Sequence, residues 1–315
     1  MIAIGIDIGG TQTRVGAVDQ SGRVLACRRH RTDPTVGGDA LVDRLIREVD
    51  VVRKEADIRE PLAGVMGVAV PGLINRKKNA LTRSVNLPVL EGYPIAEELI
   101  RRTGLSVTLA TDAEATTWAE YLAHPSRPTR FAHLRLGTGV ACGIVADGAL
   151  LDIYGDRTGH LDVLIVREGP EAPECSCGRK GCLEAIASGA ALLKRGGAFG
   201  FPAALDSLQR AWQRGEATAK QIIGDAATGV SIAVGNLAQS FGAELVCIGG
   251  GVIDRLPALF DEAAAWFRNS HAIENGDFRA SMEQSRLGDS AGLMGSALLA
   301  FAENKRVHSG PLSGA

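Results

Sequence analysis

One histidine and three cysteines have the types and the spacing of a closed metal site. They are separated as His-x14-Cys-x-Cys-x4-Cys, and the residues are His160, Cys175, Cys177 and Cys182. Three thiolates and one imidazole complete a tetrahedral zinc site and leave no position for water, so the predicted zinc is structural. The alternative, three unrelated free thiols, explains poorly why three cysteines fall within eight positions.

Three glycine-rich turns follow apolar runs that are typical of strands. They are Gly9-Gly10-Thr11, Gly137-Thr138-Gly139 and Gly249-Gly250-Gly251. Glycine lets the backbone approach an anion closely, so the amide groups of such turns can bind phosphate. For any single turn, a tight turn without a ligand is the simpler interpretation. Three together, without a Walker A or Gly-x-Gly-x-x-Gly pattern, favour a nucleotide held between two domains.

Asp7 lies in the apolar run that precedes the first of these turns. A carboxylate beside phosphate groups commonly holds Mg²⁺, directly or through water. The alternative is an aspartate at a strand end that caps the turn. Asp7 is therefore a candidate magnesium residue.

A weak internal repeat organises the chain. Residues 2–18 show a strand, a Gly/Thr turn and a second strand, and residues 132–148 show the same order. Such self-similarity predicts two related α/β domains. We predict an N-terminal domain over residues 1–114, completed by a C-terminal helix over 291–303. A second domain over 115–290 would carry a zinc-binding insert at 155–185.

The composition excludes several functional classes. The chain has 315 residues, 45% hydrophobic and 22% charged, with a formal net charge of -2. A large core is expected, whereas a basic nucleic-acid footprint or a polybasic membrane patch is not. No apolar run is long enough to span a bilayer. A cysteine cluster of the metal-binding type also predicts a reducing, cytoplasmic location.

The motifs together resemble the ROK family of bacterial sugar kinases and sugar-responsive repressors, in the actin-like ATPase superfamily. They follow the family order over nearly the whole chain. The matching segments are Ile6-Asp7-Ile8-Gly9-Gly10-Thr11, Val70-Pro71-Gly72, Asn86-Leu87-Pro88, Asp112-Ala113, Leu136-Gly137-Thr138-Gly139, Gly159-His160, the run from Cys175 through Cys182 to Leu183-Glu184, Ile248-Gly249-Gly250-Gly251 and the run from Leu287 to Gly295.

The resemblance implies two actin-like ATPase domains, of the ribonuclease H-like type, flanking a cleft. It also implies ATP-dependent phosphorylation of a hexose, usually at the 6-hydroxyl, with Mg²⁺ as cofactor. Asp112 would be the catalytic base that accepts the proton of the sugar hydroxyl. Taken alone, Asp112 at a strand-to-helix junction is more typical of an N-cap.

The same resemblance assigns the binding residues. ATP and its phosphates would contact Asp7, Gly9, Gly10, Thr11, Gln12, Gly137, Thr138, Gly139, Gly249, Gly250 and Gly251. The sugar would contact Gly72, Asn86, Thr111, Asp112, Asp156, Arg157, His160 and Glu184. His160 would bind zinc through one ring nitrogen and the sugar through the other, and Glu184 would accept from sugar hydroxyls.

Three departures from the family pattern fall around these contacts. Thr111 stands where the family usually has Asn, Arg157 where it usually has Glu, and Gln12 where Lys is frequent. Asp156 is an alternative substitute for the missing glutamate. We therefore expect phosphoryl transfer to be retained and the choice of sugar to be altered. The expected substrate is glucose or an amino sugar such as 3-amino-3-deoxyglucose (kanosamine), and not N-acetylmannosamine.

The alternative from another class is a non-catalytic sugar sensor related to the ROK repressors. Those repressors carry a helix-turn-helix domain ahead of the kinase-like part, and Asp7 stands too near the start of this chain for one. The expected partners are therefore a sugar and ATP, with no nucleic acid and no membrane. Family habit favours a homodimer.

Overall fold

The computed structural model describes residues 1–58, 63–76, 78–84, 86–151, 164–270 and 280–309. These residues form two compact units. Unit 1 contains residues 1–125, 150–151 and 289–309, and unit 2 contains residues 126–149, 164–270 and 280–288.

Strands and helices are interspersed along the described residues. The strands are β1 (Ile2–Ile8), β2 (Gln12–Asp19), β3 (Val24–Arg31), β4 (Val65–Val70), β5 (Leu73–Asn75), β6 (Ala80–Arg83), β7 (Ser106–Thr111), β8 (Arg130–Leu136), β9 (Val140–Ala146), β10 (Ala149–Leu150), β11 (Leu245–Gly249) and β12 (Ser281–Gln284). The helices are α1 (Gly38–Glu55), α2 (Ile95–Thr103), α3 (Asp112–Ala123), α4 (Leu183–Ala187), α5 (Gly189–Ala198), α6 (Leu205–Gln213), α7 (Ala217–Phe241), α8 (Gly251–Arg255), α9 (Pro257–Ser270) and α10 (Ala291–Ser309).

The two main sheets have the same topology. Their strand orders are β3-β2-β1-β4-β7 and β10-β9-β8-β11-β12. In the first, β1 pairs antiparallel with β2 and parallel with β4, and β4 pairs parallel with β7. In the second, β8 pairs antiparallel with β9 and parallel with β11, and β11 pairs parallel with β12. The predicted internal repeat and the α/β class are therefore confirmed.

Strand β1 shows how the sequence pattern places a functional residue. Its alternating residues Ile4, Ile6 and Ile8 are fully buried in the core that includes Leu45 of α1. Because successive side chains of a strand point to opposite faces, Asp7 projects from the other face of the sheet. Apolar alternation therefore holds this carboxylate on the face of the sheet that α10 covers.

Helix α10 packs on that face with its backbone unusually close. A Cβ atom on Gly67 of β4 would overlap the carbonyl group of Ser296 in α10, and one on Gly295 would overlap the carbonyl group of Ala115 in α3. These two glycines are required because any side chain would push α10 away from the sheet or from α3. The last helix of the chain is thereby fixed between the sheet and α3.

The sequence-based element assignments are largely matched, with instructive differences. Strand β3 extends to Arg31 because its backbone pairing with β2 continues through its arginines. The C-terminal helix extends to Ser309, beyond the expected 303. Unit 1 contains the whole of α3, which packs against α10. Among the described helices, none has the length and apolar character needed to cross a membrane.

Candidate functional site

The parallel strands of unit 1 end at one edge of its sheet. Strands β1, β4 and β7 run in the same direction side by side. Their carboxyl ends therefore lead into the Gly9–Thr11 turn, the turn at Gly72 and the start of α3 at Asp112. Ligands of open α/β sheets bind at such an edge. Three segments that are far apart in sequence are thus brought to one place.

Asn86 lies at this edge, in contact with the first glycine turn. A Cβ atom on Gly10 would lie 3.0 Å from the Cβ atom of Asn86, so these two residues are in contact. The Asn86 side chain is exposed, as are those of Thr11 and Gln12. A predicted sugar contact and the predicted phosphate turn are therefore adjacent within unit 1.

The Asp7 carboxylate is held by a cation and by a helix start. Arg14 Nη1 donates to Asp7 Oδ2 at 3.3 Å, and Arg14 Nη2 donates to Asp289 Oδ2 at 3.0 Å and to Gln12 Oε1 at 3.4 Å. Gly292, in the first turn of α10, packs so close that a Cβ atom there would lie 2.8 Å from the carboxylate carbon of Asp7. A helix N-terminus and an arginine both favour the anionic form of this group. The sequence analysis did not identify Arg14.

Asp112 occupies the first position of α3 and is not its N-cap. Thr111 is the N-cap: its hydroxyl accepts from the backbone N–H of Glu114 at 3.1 Å, and Glu114 Oε2 accepts from the backbone N–H of Thr111 at 2.8 Å. The interpretation of Asp112 as an N-cap is therefore wrong, because the capping box uses Thr111 and Glu114 instead. The Asp112 carboxylate is therefore not part of the capping box. Its Oδ1 accepts from the backbone N–H of Ala113 at 3.0 Å.

Glu114 is buried and has a second partner. Its side chain is 4% exposed, and its Oε1 accepts from Arg76 Nη2. Arg76 Nη1 also donates to the carbonyl oxygen of Leu109 in β7, at 2.9 Å. Arg76 therefore ties the end of β7 to the first turn of α3. The Thr-x-x-Glu pattern signals this capping box in the sequence, whereas the pairing with Arg76 depends on the fold.

Thr111 has little left to offer a ligand. Its hydroxyl accepts from the backbone N–H of Glu114 and donates to Glu114 Oε2 at 3.0 Å, and the residue is buried. The hydroxyl is thus committed to the capping box. Where the family usually has an asparagine, this chain has a side chain that stabilises α3.

In unit 2 the turns Gly137–Gly139 and Gly249–Gly251 lie side by side. They follow the neighbouring parallel strands β8 and β11. Gly250 has a φ of 99°, and a Cβ atom there would lie 2.5 Å from the carbonyl oxygen of Leu136. Only glycine fits this position, because of both its conformation and its surroundings. The two predicted phosphate turns of unit 2 therefore form one surface.

A neutral histidine supports the second of these turns. His133 Nε2 lies 2.9 Å from Ser285 Oγ, and a Cβ atom on Gly249 would lie 2.5 Å from the Cβ atom of Ser285. Burial, and secondarily the charge of Arg135, lower the pKa of His133 to about 3. His133 therefore carries no charge at neutral pH, and it fills the space beneath the turn.

Glu184 lies against the Gly137–Gly139 turn. Its Oε2 accepts from the backbone N–H of Val140 at 3.1 Å, and its Oε1 accepts from Ser176 Oγ at 3.3 Å. A Cβ atom on Gly139 would lie 2.6 Å from Glu184 Oε2. The predicted sugar residue of unit 2 is therefore placed between a predicted phosphate turn and the cysteine cluster.

The cysteines form a cluster that fits a metal ion. The Sγ atoms of Cys175, Cys177 and Cys182 all lie within 4.8 Å of one another, and those of Cys177 and Cys182 are 3.5 Å apart. A Zn–S distance near 2.3 Å lets one ion reach three sulfurs so arranged. The backbone N–H of Arg179, and then its side chain, lower the pKa of Cys177 to about 7, whereas burial raises that of Cys182 to about 12.

Three further predicted site residues, Asp156, Arg157 and His160, lie outside the described residues.

Comparison with known proteins finds one family by sequence and by structure. A family model described as ROK family matches residues 3–303. The chain is 30% identical over 302 residues to an N-acetylmannosamine kinase of Salmonella arizonae, covering 95% of this chain and 98% of that protein. A ROK hexokinase structure from Thermus thermophilus matches with a TM-score of 0.84 and 29% identity, covering 97% of this chain and 99% of the other.

A second solved structure carries ligands. It is a ROK family glucokinase from Streptomyces griseus in complex with glucose and AMPPNP, with a TM-score of 0.74 and 26% identity over 96% of this chain and 100% of the other. Together with the repeated topology, these likenesses confirm the predicted actin-like ATPase fold.

The pair of buried Glu114 and partly exposed Arg76 at the start of α3 yields a stability prediction. Glu114→Ala should lower the free energy of unfolding by roughly 2 kcal/mol, because it removes the glutamate half of the capping box and leaves the Arg76 guanidinium without its carboxylate. The matched control is Glu303→Ala, which breaks the exposed Arg306–Glu303 pair, whose side chains are 60% and 46% exposed. That pair should be worth less than about 1 kcal/mol. Urea denaturation of both variants makes the comparison, and equal losses would contradict a special role for Glu114.

Proposed function

We propose that this chain, which belongs to the ROK family, is an ATP-dependent sugar kinase that phosphorylates a hexose or an aminohexose at its 6-hydroxyl. The observation that carries the proposal is the position of Asp112. It lies at the carboxyl edge of the unit 1 sheet, in the first turn of α3 and outside the capping box, on the edge that also holds the Gly9–Thr11 turn.

Asp112 would act as the base. A sugar hydroxyl is a weak nucleophile, and a carboxylate within hydrogen-bond reach can orient it and accept its proton as the phosphoryl group is transferred. Thr111, Glu114 and Arg76 fix the first turn of α3, so they would hold the carboxylate in place without contacting the substrate.

The glycine turns would bind the phosphates of ATP through backbone amides, and Thr11 and Thr138 add hydroxyl donors. Mg²⁺ bound with ATP neutralises the charge that develops on the phosphates. The oxygen donors of Asp7 suit this ion, and Asp7 would hold it directly or through water. Arg14 and the start of α10 keep the Asp7 carboxylate on the ligand-binding edge.

We propose that the cysteine cluster binds one structural zinc, with His160 as the fourth ligand. The three described thiols support this by their distances, and the low pKa of Cys177 supplies a thiolate at neutral pH. Reduced thiols are required for this site, which supports a cytoplasmic location. The homodimer expected from the family stays a prediction.

The sugar would contact Gly72 and Asn86 of unit 1 and Glu184 of unit 2, with Asp156, Arg157 and His160 as further predicted contacts. Thr111 is the point of difference, because its hydroxyl already donates its only proton to Glu114 in the capping box and has none left to donate to the sugar. An arginine at 157 would repel a sugar ammonium by up to about 4 kcal/mol at 4 Å and an effective dielectric constant of 20. An amino group would therefore bind nearer to Asp112, Asp156 or Glu184.

The non-catalytic sensor remains the second candidate because Thr111 and Arg157 differ from the residues that the family usually has at these predicted sugar contacts. It predicts sugar binding without ADP release. The kinase proposal predicts ADP release that depends on a sugar, and Asp112 together with the three glycine turns supports it.

The first prediction concerns the base. Asp112→Asn should keep the fold and bind both substrates, since Asn preserves the shape and the acceptor oxygen. It cannot take a proton, so turnover should fall by about 10²–10⁴-fold. Steady-state ADP release measures the loss, and turnover within about tenfold of wild type would refute the base role.

The second prediction concerns the metal. Purified protein should contain one zinc per chain, and Cys177→Ser should lose it, because a hydroxyl is a far weaker zinc ligand than a thiolate. Elemental analysis by mass spectrometry gives the zinc content, and Cys142→Ser, at a buried cysteine of β9, is the control that should retain it. Folded, active wild-type protein without zinc would overturn this assignment.

The third prediction concerns the sugar. Values of kcat/KM for glucose, glucosamine, 3-amino-3-deoxyglucose, mannose and N-acetylmannosamine should be highest for glucose or an amino sugar. N-acetylmannosamine should rank lower because Thr111 and Arg157 replace the asparagine and glutamate that the family usually has. A clear preference for N-acetylmannosamine would overturn this expectation, and a preference for glucose over every amino sugar would exclude the aminohexose.

A further inference from the structure

The Gly137–Gly139 turn is held from two sides. On one side, the start of α5 donates backbone hydrogen bonds to it, from Gly189 N to Gly137 O at 2.8 Å and from Ala190 N to Thr138 O at 3.3 Å. Within the turn, Gly137 N donates to Gly139 O at 2.9 Å. These bonds fix the carbonyl groups of the turn, so its shape depends on where α5 begins.

Glu184 holds the other side of the turn. Its Oε2 accepts from Val140 N at 3.1 Å, which fixes the residue at which the turn enters β9. A Cβ atom on Gly139 would lie 2.6 Å from the same oxygen, so a side chain there would displace the Glu184 carboxylate. A hydrogen bond to a charged acceptor is stronger than one between neutral groups.

The second oxygen of this carboxylate faces the cysteine cluster. Glu184 Oε1 accepts from Ser176 Oγ at 3.3 Å, and Ser176 stands between the cluster residues Cys175 and Cys177. Glu184 itself follows the third cluster residue, Cys182, by two positions. One side chain thus connects the cluster to the phosphate turn.

We propose that Glu184 is a positioning residue for the nucleotide-binding turn, and that it transmits the geometry of the cysteine cluster to that turn through Ser176. The inference rests on the proposed kinase function and goes beyond the sugar contact expected of Glu184. A turn whose amides are already oriented binds phosphate without first losing conformational freedom.

The charge of Glu184 gives the proposal a distinctive signature. A carboxylate near bound phosphates is electrostatically unfavourable, so its value lies in its hydrogen bonds and not in its charge. A glutamine keeps both hydrogen bonds, since its carbonyl accepts from Val140 N–H and its amide group donates to Ser176 Oγ. Glu184→Gln should therefore bind nucleotide at least as tightly as wild type, whereas Glu184→Ala should bind it about tenfold more weakly.

Isothermal titration with AMPPNP and Mg²⁺, in the absence of sugar, measures this order on the full-length, metal-loaded protein. Ser176→Ala, which removes only the link to the cluster, should weaken nucleotide binding in the same direction by about two- to threefold. Glu216→Ala, at a glutamate of unit 2 whose side chain is 42% exposed, is the control that should match wild type.

The outcomes separate this inference from the proposed function. If wild type binds AMPPNP and Glu184→Ala binds it with the same affinity, the inference is overturned and the kinase proposal stays intact. If Glu184→Ala and Glu184→Gln both bind AMPPNP more tightly than wild type by the same factor, only the charge of Glu184 matters. This result would also overturn the inference. Should Glu184→Ala not fold, unchanged binding in Ser176→Ala would overturn the link to the cluster. Absence of AMPPNP binding by wild type would overturn the kinase function itself.

Discussion

The backbone contact of helix α10 with the sheet of unit 1 is the constraint on which the site of that unit depends. Glycines at 67 and 295 remove the side chains that would separate α10 from β4 and from α3. The start of α10 then lies against Asp7, and its body lies against the helix that begins with Asp112. Two carboxylates with different proposed roles are thus positioned by the same helix.

This arrangement explains why unit 1 needs the end of the chain. Residues 289–309 belong to the same unit as residues 1–125, so α10 completes a unit whose sheet comes from segments far before it in sequence. Asp289, just before α10, pairs with Arg14 of β2, and Arg14 in turn pairs with Asp7. A residue near the C-terminus therefore takes part in the ion-pair network of the first glycine turn.

The sequence was most informative where chemistry is local. Apolar alternation in β1, the repeated strand and glycine-turn pattern and the cysteine spacing each depend on neighbouring residues, so they predicted the fold class and the thiol cluster. The sequence was least informative where the partner comes from another element. Arg76 and Glu114 are hydrogen-bonded although 38 positions separate them in sequence, and Val140 and Glu184 are 44 positions apart. The periodicity of a sequence does not reveal such pairs. The N-cap alternative for Asp112 is wrong because its neighbour Thr111 is the N-cap of α3.

The two units use one principle for their ligand edges. In each, glycine turns follow the parallel strands and polar side chains lie beside them: Arg14 with Asp289 in unit 1, and Glu184 and His133 in unit 2. The identity of the transferred group tests this account most directly. Incubation with ATP, Mg²⁺ and the preferred hexose, followed by ³¹P–¹H correlation NMR, should show a sugar phosphate whose phosphorus couples to the H6 protons, in an amount equal to the ADP formed. ADP accompanied only by inorganic phosphate, or a phosphate on another hydroxyl, would contradict it.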